Sequence, residues 1–266
     1  MSINWNEVQQ ALYPIKDCGD LCRRFQTSFA FPFVRQKFDF SMPDLVSYTQ
    51  RLLGGDAHGR YTEYTIRLVD ILTKLHQAGV RGVLDLVSRT ASRAQLEAFS
   101  EQSGISAPEI VTVLKYLVYW FIPGEKYLSG LIQPGSTLRA VIQVLGELGI
   151  RTNLQLLQKG ITPAGRKALA ETSRLPLEVI AELVNRADFS RLPWASKATS
   201  SNFIGAGYSS MAALANADPE QLYADFFRYG KAIGKNLKKG NEIDNSYRIA
   251  RIVPVLVQEQ PPAEQV

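Results

Sequence analysis

Cysteine and histidine are scarce in this chain, at two each in 266 residues. Two cysteines cannot build a disulfide framework, and unbridged thiols point to a reducing, intracellular setting. Cys18 and Cys22 stand four apart and, with His58 and His76, make four potential zinc ligands. The tight pairs of a zinc module are missing, so the expectation is two reduced cysteines on a helix, with no metal and no other cofactor. Long apolar runs are lacking too. The longest, Ile110 to Ile122, is 13 residues and contains Thr112 and Lys115, which is too short to span a bilayer. The first thirty residues show no charged-then-apolar leader ending in small residues, so a soluble, cytoplasmic protein is expected. Neither sign of charge dominates: 30 Lys+Arg against 25 Asp+Glu leave +5. With 45% apolar and 21% charged residues the chain is globular rather than disordered.

Constellations that carry chemistry are equally sparse. Gly230, Gly234, Lys235 and Asn236 imitate a phosphate loop, but one residue too few separates the glycines and Asn236 replaces the hydroxyl that binds magnesium. Gly205 and Gly207 lack the third glycine and the βαβ setting of a dinucleotide site. No acidic cluster is present, and no Ser-His-Asp arrangement can be inferred. The expectation is a protein without catalytic activity, acting by binding.

What is present is helical periodicity. Leu68, Ile71, Leu72 and Leu75 follow the i, i+3, i+4, i+7 rule, as do Ile110, Val113, Leu114 and Leu117, and Leu138, Val141, Ile142 and Leu145. Ser106 and Glu109 form a capping box, while Thr162-Pro163 and Asp218-Pro219 place an oxygen at the N-cap and proline in the first turn. Nothing comparable argues for paired strands, so the fold class is all-α.

The most specific pattern is internal. Gly79, Gly149 and Gly207 each precede a larger apolar residue, and Leu86, Leu156 and Leu214 lie seven beyond them. New helix starts follow at Ser92, Thr162 and Asp218. This reads as one small device used three times: a helix stopped by a left-handed glycine, a short helix, then another capped helix. The first two copies continue in parallel, with Ser103-Gly104-Ile105 matching Ser173-Arg174-Leu175, and a one-residue gap before Glu109 and Glu178.

From about Leu138 to Leu222 the chain resembles a bacterial family of domains of unknown function built from tandem helix-hairpin-helix-like repeats. The residues that carry the resemblance are Leu148 to Leu156, Thr162 to Arg166, Ala187 to Leu192, Gly207 to Leu214 and Asp218 to Leu222. It implies compact, five-helix, SAM-like repeats with no known catalytic activity. The chain then divides into an aromatic-rich N-terminal extension (1–60), a diverged helical repeat domain (61–137), a helix-hairpin-helix-like domain with a basic C-terminal segment (138–257), and a flexible tail (258–266). DNA-holding modules of this type use hairpin glycines to bring backbone N–H groups to a phosphate. Here the corresponding places read Leu192-Pro193-Trp194-Ala195-Ser196, without either glycine, and Ile122-Pro123-Gly124-Glu125-Lys126, where Glu125 stands beside the phosphate position. Both look remodelled away from phosphate.

Two segments remain as candidate binding sites. Between Arg228 and Arg251 lie seven cations, Arg228, Lys231, Lys235, Lys238, Lys239, Arg248 and Arg251, against Glu242 and Asp244. If 226–239 is one helix, the first five form a basic stripe opposite Phe226, Ile233 and Leu237, suited to nucleic-acid phosphates; a merely solvated helix face is the alternative. The aromatic segment Phe29, Phe31 and Phe33, together with Trp194, would anchor a protein partner if exposed, or wrap the domain's own core. Two functions stay open: a protein-interaction or scaffolding module with an unidentified partner, and a nucleic-acid-associated protein contacting backbone phosphates without reading bases.

Overall fold

The helices begin where oxygen-bearing side chains meet the first free N–H groups. Asp17, Ser41, Ser92, Thr152, Thr162, Ser196, Ser210 and Asp218 each accept a hydrogen bond from the backbone N–H three residues on. A computed structural model describes residues 3–55, 59–193, 195–237 and 240–259, and among these no strand forms. Backbone pairing of the β type is confined to isolated bridges, Ser41 with Gly82 and Tyr127 with Thr152. Among the described residues no helix is long and apolar enough to cross a membrane.

The chain folds as two compact units, Met1–Gly124 and Glu125–Val266, so the divisions expected at 60 and 137 fall inside them. Unit 1 holds α1 (Trp5–Leu12), α2 (Cys18–Phe29), α3 (Pro32–Phe38), α4 (Met42–Gly54), α5 (Thr62–Gln77), α6 (Val83–Arg89), α7 (Arg93–Ser103) and α8 (Ala107–Tyr116), the last running into a π turn at Leu117–Phe121. Residues 1–60 are therefore not an extension beside the fold but half of its core. Pro32 and Pro43 sit in the first turns of α3 and α4, where proline costs no hydrogen bond, so they start helices instead of preventing them. Phe121 sits among Phe38, Phe40 and Tyr48 in tilted to edge-on contacts, with ring centroids 5.5, 4.9 and 4.9 Å away. Tyr116 is fully buried, its hydroxyl 2.9 Å from Thr49 Oγ1.

Unit 2 opens with a 3-10 turn at Leu128–Leu131. It continues through α9 (Leu138–Glu147), α10 (Asn153–Gly160), α11 (Pro163–Ser173), α12 (Leu177–Phe189), α13 (Lys197–Gly205), α14 (Met211–Ala215), α15 (Pro219–Ala232) and α16 (Asn241–Ala250). Its core runs from Leu154 and Leu157 through Ile180, Leu183 and Val184 to stacked Phe189 and Phe203, with Phe226 beyond. Gly165 admits a close approach of α10 and α11: a Cβ there would lie 2.1 Å from the Lys159 carbonyl oxygen. Gln258, expected to open a flexible tail, is instead held against the unit. Val253 and Leu256 are buried, Gln258 donates its N–H to Ile161, and Arg166 binds the carbonyls of Gly160, Ile161 and Gln258. Residues 260–266 lie outside the described residues.

One local geometry occurs three times. Gly79, Gly149 and Gly207 hold φ at +78°, +78° and +102°. The next residue folds back, so that the N–H groups of Val80, Ile150 and Tyr208 reach the carbonyls of Leu75, Leu145 and Phe203 at 3.0, 2.8 and 2.9 Å. A second left-handed residue ends the third helix in each case: Gly104 (φ 70°), Arg174 (φ 56°) and Gly234 (φ 67°). From Gly79 to α8 and from Gly149 to α12, every helix start is displaced by the same 70 positions (83 to 153, 93 to 163, 107 to 177), so the one-residue gap read from the sequence is absent.

Two consequences for stability can be measured by urea unfolding. Arg174 is the one described non-glycine at positive φ, so Arg174→Gly should raise stability by about 0.5–1 kcal/mol, whereas Gly149→Ala should lower it by about 1 kcal/mol. In α12, Asp188 and the following Arg191 form an ion pair at 2.7 Å with both side chains 2% exposed. Burial pushes the Asp188 carboxyl upward against the pull of Arg191. Asp188→Asn should cost about 3 kcal/mol by stranding a buried guanidinium, and Asp188→Leu combined with Arg191→Met should cost less than that single change.

Candidate functional site

The hairpin after α5 shows what became of its backbone donors. The Arg81 N–H goes to Asp85 Oδ2 at 2.9 Å, that of Val83 to the Phe40 carbonyl at 3.1 Å, and that of Leu84 to Asp39 Oδ1 at 2.9 Å. After α9 the pattern returns with other side chains. The N–H groups of Arg151 and Thr152 both reach Gln155 Oε1, that of Asn153 reaches the Lys126 carbonyl, and that of Leu154 reaches Asn153 Oδ1. Donors that could hold a phosphate are thus taken by the chain's own oxygens, two of them carboxylates in unit 1. The places singled out in the sequence are occupied as well. The Pro123 carbonyl accepts from Ser28 Oγ, Lys126 Nζ donates to the Ser190 carbonyl at 2.6 Å, and Trp194 lies outside the described residues.

The basic segment is not one helix. Helix α15 ends at Ala232 and Gly234 turns left-handed, so the stripe expected over 226–239 is broken after Lys231. Arg228 pairs with Asp225 at 3.0 Å, and Lys231 lies 4.6 Å above the ring of Phe227, which is 50% exposed. Beyond the turn, the Lys235 N–H returns to the Gly230 carbonyl. Arg248 is half-buried on α16, and the Arg251 guanidinium lies over the Tyr247 ring. Lys238 and Lys239 fall outside the described residues. Sequence periodicity overextended this helix because Phe226, Ile233 and Leu237 keep helical spacing across a glycine that terminates it.

The aromatic anchors are corrected by burial. Phe29 and Phe33 are 6% and 7% exposed and belong to the core of unit 1, while Phe31 is half-buried against Phe33. They are closed to a partner in this conformation. Cys18 and Cys22 are half-buried thiols, both pushed upward in pKa by that burial, and Cys22 donates to the Thr90 carbonyl. His76 is exposed and His58 is outside the described residues. Among the described residues no three or more His, Cys, Asp or Glu side chains converge as metal ligands.

The surface that sequence reading missed lies in unit 2. Leu148, Ile150, Gly165, Ala168, Leu169 and Thr172 line an open groove of about 300 Å3 with Lys159 at its rim. Leu148 is 41% exposed, and Val141 and Val144 continue the apolar strip along α9, half-exposed. The signal was available in the sequence. Counting from Gly79 and Gly149, Val144 stands where unit 1 has Lys74, Leu148 where it has Ala78, and Gly165 where it has Gln95.

Against known proteins, residues 136–238 match a family described as a domain of unknown function (DUF4332). The match runs from just before α9 through α15 and so includes the groove. Comparison with curated proteins and with solved structures returned no match.

The hairpin of unit 1 makes a pH prediction. Asp85 is held below its ordinary value of 3.8, chiefly by its hydrogen bond from Arg89 and also by the Arg81 N–H, against the opposing effect of burial. A carboxyl depressed in the folded state stabilises fully above its unfolded value, and that stabilisation is lost as pH falls toward the folded value. Urea midpoints taken between pH 7 and about pH 3 should therefore fall less steeply in Asp85→Asn than in the parent, from a lower starting stability at pH 7.

Proposed function

We propose that the chain is a non-catalytic, cytoplasmic protein-interaction module. It is built from three copies of a helix-hairpin-helix-like unit and acts through the apolar groove between the end of α9 and α11. The groove itself carries this reading. Leu148, 41% exposed, stands there over buried Ile150 and Leu169, and unit 1 has Lys74, Ala78 and Gln95 where this face has Val144, Leu148 and Gly165. A surface concavity with apolar lining is a usual place for a binding surface. Support for the duplicated unit comes from the three pairs of left-handed helix ends. Support for a protein rather than a phosphate ligand comes from hairpin N–H groups already bonded to Asp39, Asp85 and Gln155.

The test is comparative capture at native expression level by the full chain and by a variant carrying Val144→Lys and Leu148→Ala, the residues unit 1 has at those positions. Proteins retained by the parent and depleted about tenfold or more by the variant are expected, since apolar contacts in a desolvated pocket dominate binding. An identical set from both would sink the reading. Retention of duplex DNA at about 50 mM salt, weakened by Lys231→Gln with Lys235→Gln, would transfer the function to nucleic acid.

A further inference from the structure

Two of the three repeated turns carry a short backbone pairing that the third lacks. After Gly79, Ser41 bridges Gly82: the Met42 N–H donates to the Arg81 carbonyl and the Val83 N–H to the Phe40 carbonyl, both at 3.1 Å. After Gly149, Tyr127 bridges Thr152 in the same way. The Leu128 N–H donates to the Arg151 carbonyl and the Asn153 N–H to the Lys126 carbonyl, both at 2.9 Å. Each time a strap from earlier in the chain lies along the residue that precedes the short helix, α6 or α10. Ser210 holds that place after Gly207, immediately before α14. Its backbone is extended like theirs, with φ −134° and ψ 161° against −123° and 160° at Thr152. Yet among the described residues nothing pairs with the Ser209 carbonyl or the Met211 N–H. Exposure agrees: Gly82 and Thr152 are buried, whereas Ser210 is half-exposed.

The two filled edges state what an occupant needs. Their straps differ in residues, Phe40-Ser41-Met42 against Lys126-Tyr127-Leu128, but share one frame. The central residue has polyproline-like backbone, with φ −60° and ψ 157° at Ser41 and φ −63° and ψ 142° at Tyr127. The residue after it is Met or Leu, 0% exposed in both, and opens a helical turn. Backbone bonds set the register and one long apolar side chain is the anchor, which is how strand addition to an open edge works. A phosphodiester could accept from the Met211 N–H but has no donor for the Ser209 carbonyl, so the edge suits polypeptide. We propose that the unpaired edge from Ser209 to Met211 docks an extended segment of a partner protein, one in which Met or Leu follows the bridging residue and opens a helix.

The probe is a synthetic peptide of residues 38–49 of this chain, which holds the first strap and the opening turns of α4. In the full chain the two filled edges keep their own straps at high effective concentration, so added peptide competes poorly there. Titrated into the 15N-labelled full chain, the peptide should shift the amide resonances of Ser209 to Ala212 saturably, with a Kd of about 0.1–1 mM. The same peptide N-methylated at Met42 lacks the donor for the Ser209 carbonyl and should bind at least about tenfold more weakly. That comparison leaves the protein untouched. Met211→Pro removes the other donor at the first position of α14, where proline is tolerated and follows an extended residue, and should weaken binding to a similar extent, about tenfold. Met211→Ala trims the side chain but keeps the N–H, and should stay within about threefold of the parent. Val144→Lys with Leu148→Ala should leave the peptide Kd unchanged, so this edge and the groove of α9 and α11 fail separately. No shift at these amides with about 2 mM peptide overturns the proposal, and so does binding indifferent to both N-methylation and Met211→Pro. Saturation of the same amides by duplex DNA at about 50 mM salt, without response to the peptide, also overturns it and assigns the edge to phosphate.

Discussion

A single residue at positive φ, with the following N–H folded back to a carbonyl five residues earlier, ends the helix at Gly79, Gly149 and Gly207, and the direction of the chain beyond depends on it. The turn satisfies carbonyls that a helix end would leave bare, and it throws one apolar residue, Val80 or Ile150, back under the helix it has just left. A short helix and a capped longer one must then follow in nearly fixed orientation. In unit 1 and unit 2 the agreement extends over four helices at one constant displacement. Side chains at matching positions therefore lie at the same place along matching helices.

Burial sorts the differences at matching positions. Buried matching positions keep their character: Ile110 and Ile180 are both fully buried, and Leu86 and Leu156 likewise. Exposed ones diverge. Lys74 and Ala78 give way to Val144 and Leu148 along the apolar strip, and Gln95 gives way to Gly165 in the groove. Burial constrains the first set by packing, since a core position of given volume accepts few alternatives. Packing fixes the second set less closely, except at Gly165, where the approach of α10 and α11 leaves no room for a Cβ.

Helix positions and caps were readable in the sequence because they are local. Asp218-Pro219 and Ser92 act within one turn, and the left-handed glycines announce themselves by residue type. Other features were not readable, each for a physical reason. Arg174 and Gly234 both end helices, but arginine is an unlikely left-handed residue and Gly234 sits within an apolar spacing that continues past it, so periodicity carried the basic helix too far. The burial of Phe29 and Phe33 could not be read because it depends on α8 and the π turn, almost a hundred residues later, folding into the same unit. The groove is a third case. It results from what three separated segments fail to cover, and no window of sequence contains an uncovered space. The bonding of a hairpin donor to Asp39 was equally remote, since Asp39 reaches Leu84 from 45 residues away.

The closing segment gives the family match a physical limit. Residues 136–238 exclude α16 and the strap through Gln258, yet Arg166, inside the match, spends one of its nitrogens on the Gln258 carbonyl, and Ile161 accepts the Gln258 N–H. The matched stretch is therefore tied in this chain to polypeptide that lies outside it. Its edge at α10 and α11 is completed by polypeptide from elsewhere in the chain, as a keystone set last completes an arch. Without that strap the Arg166 guanidinium keeps the Gly160 and Ile161 carbonyls but loses the bond that fastens the matched stretch to the end of the chain.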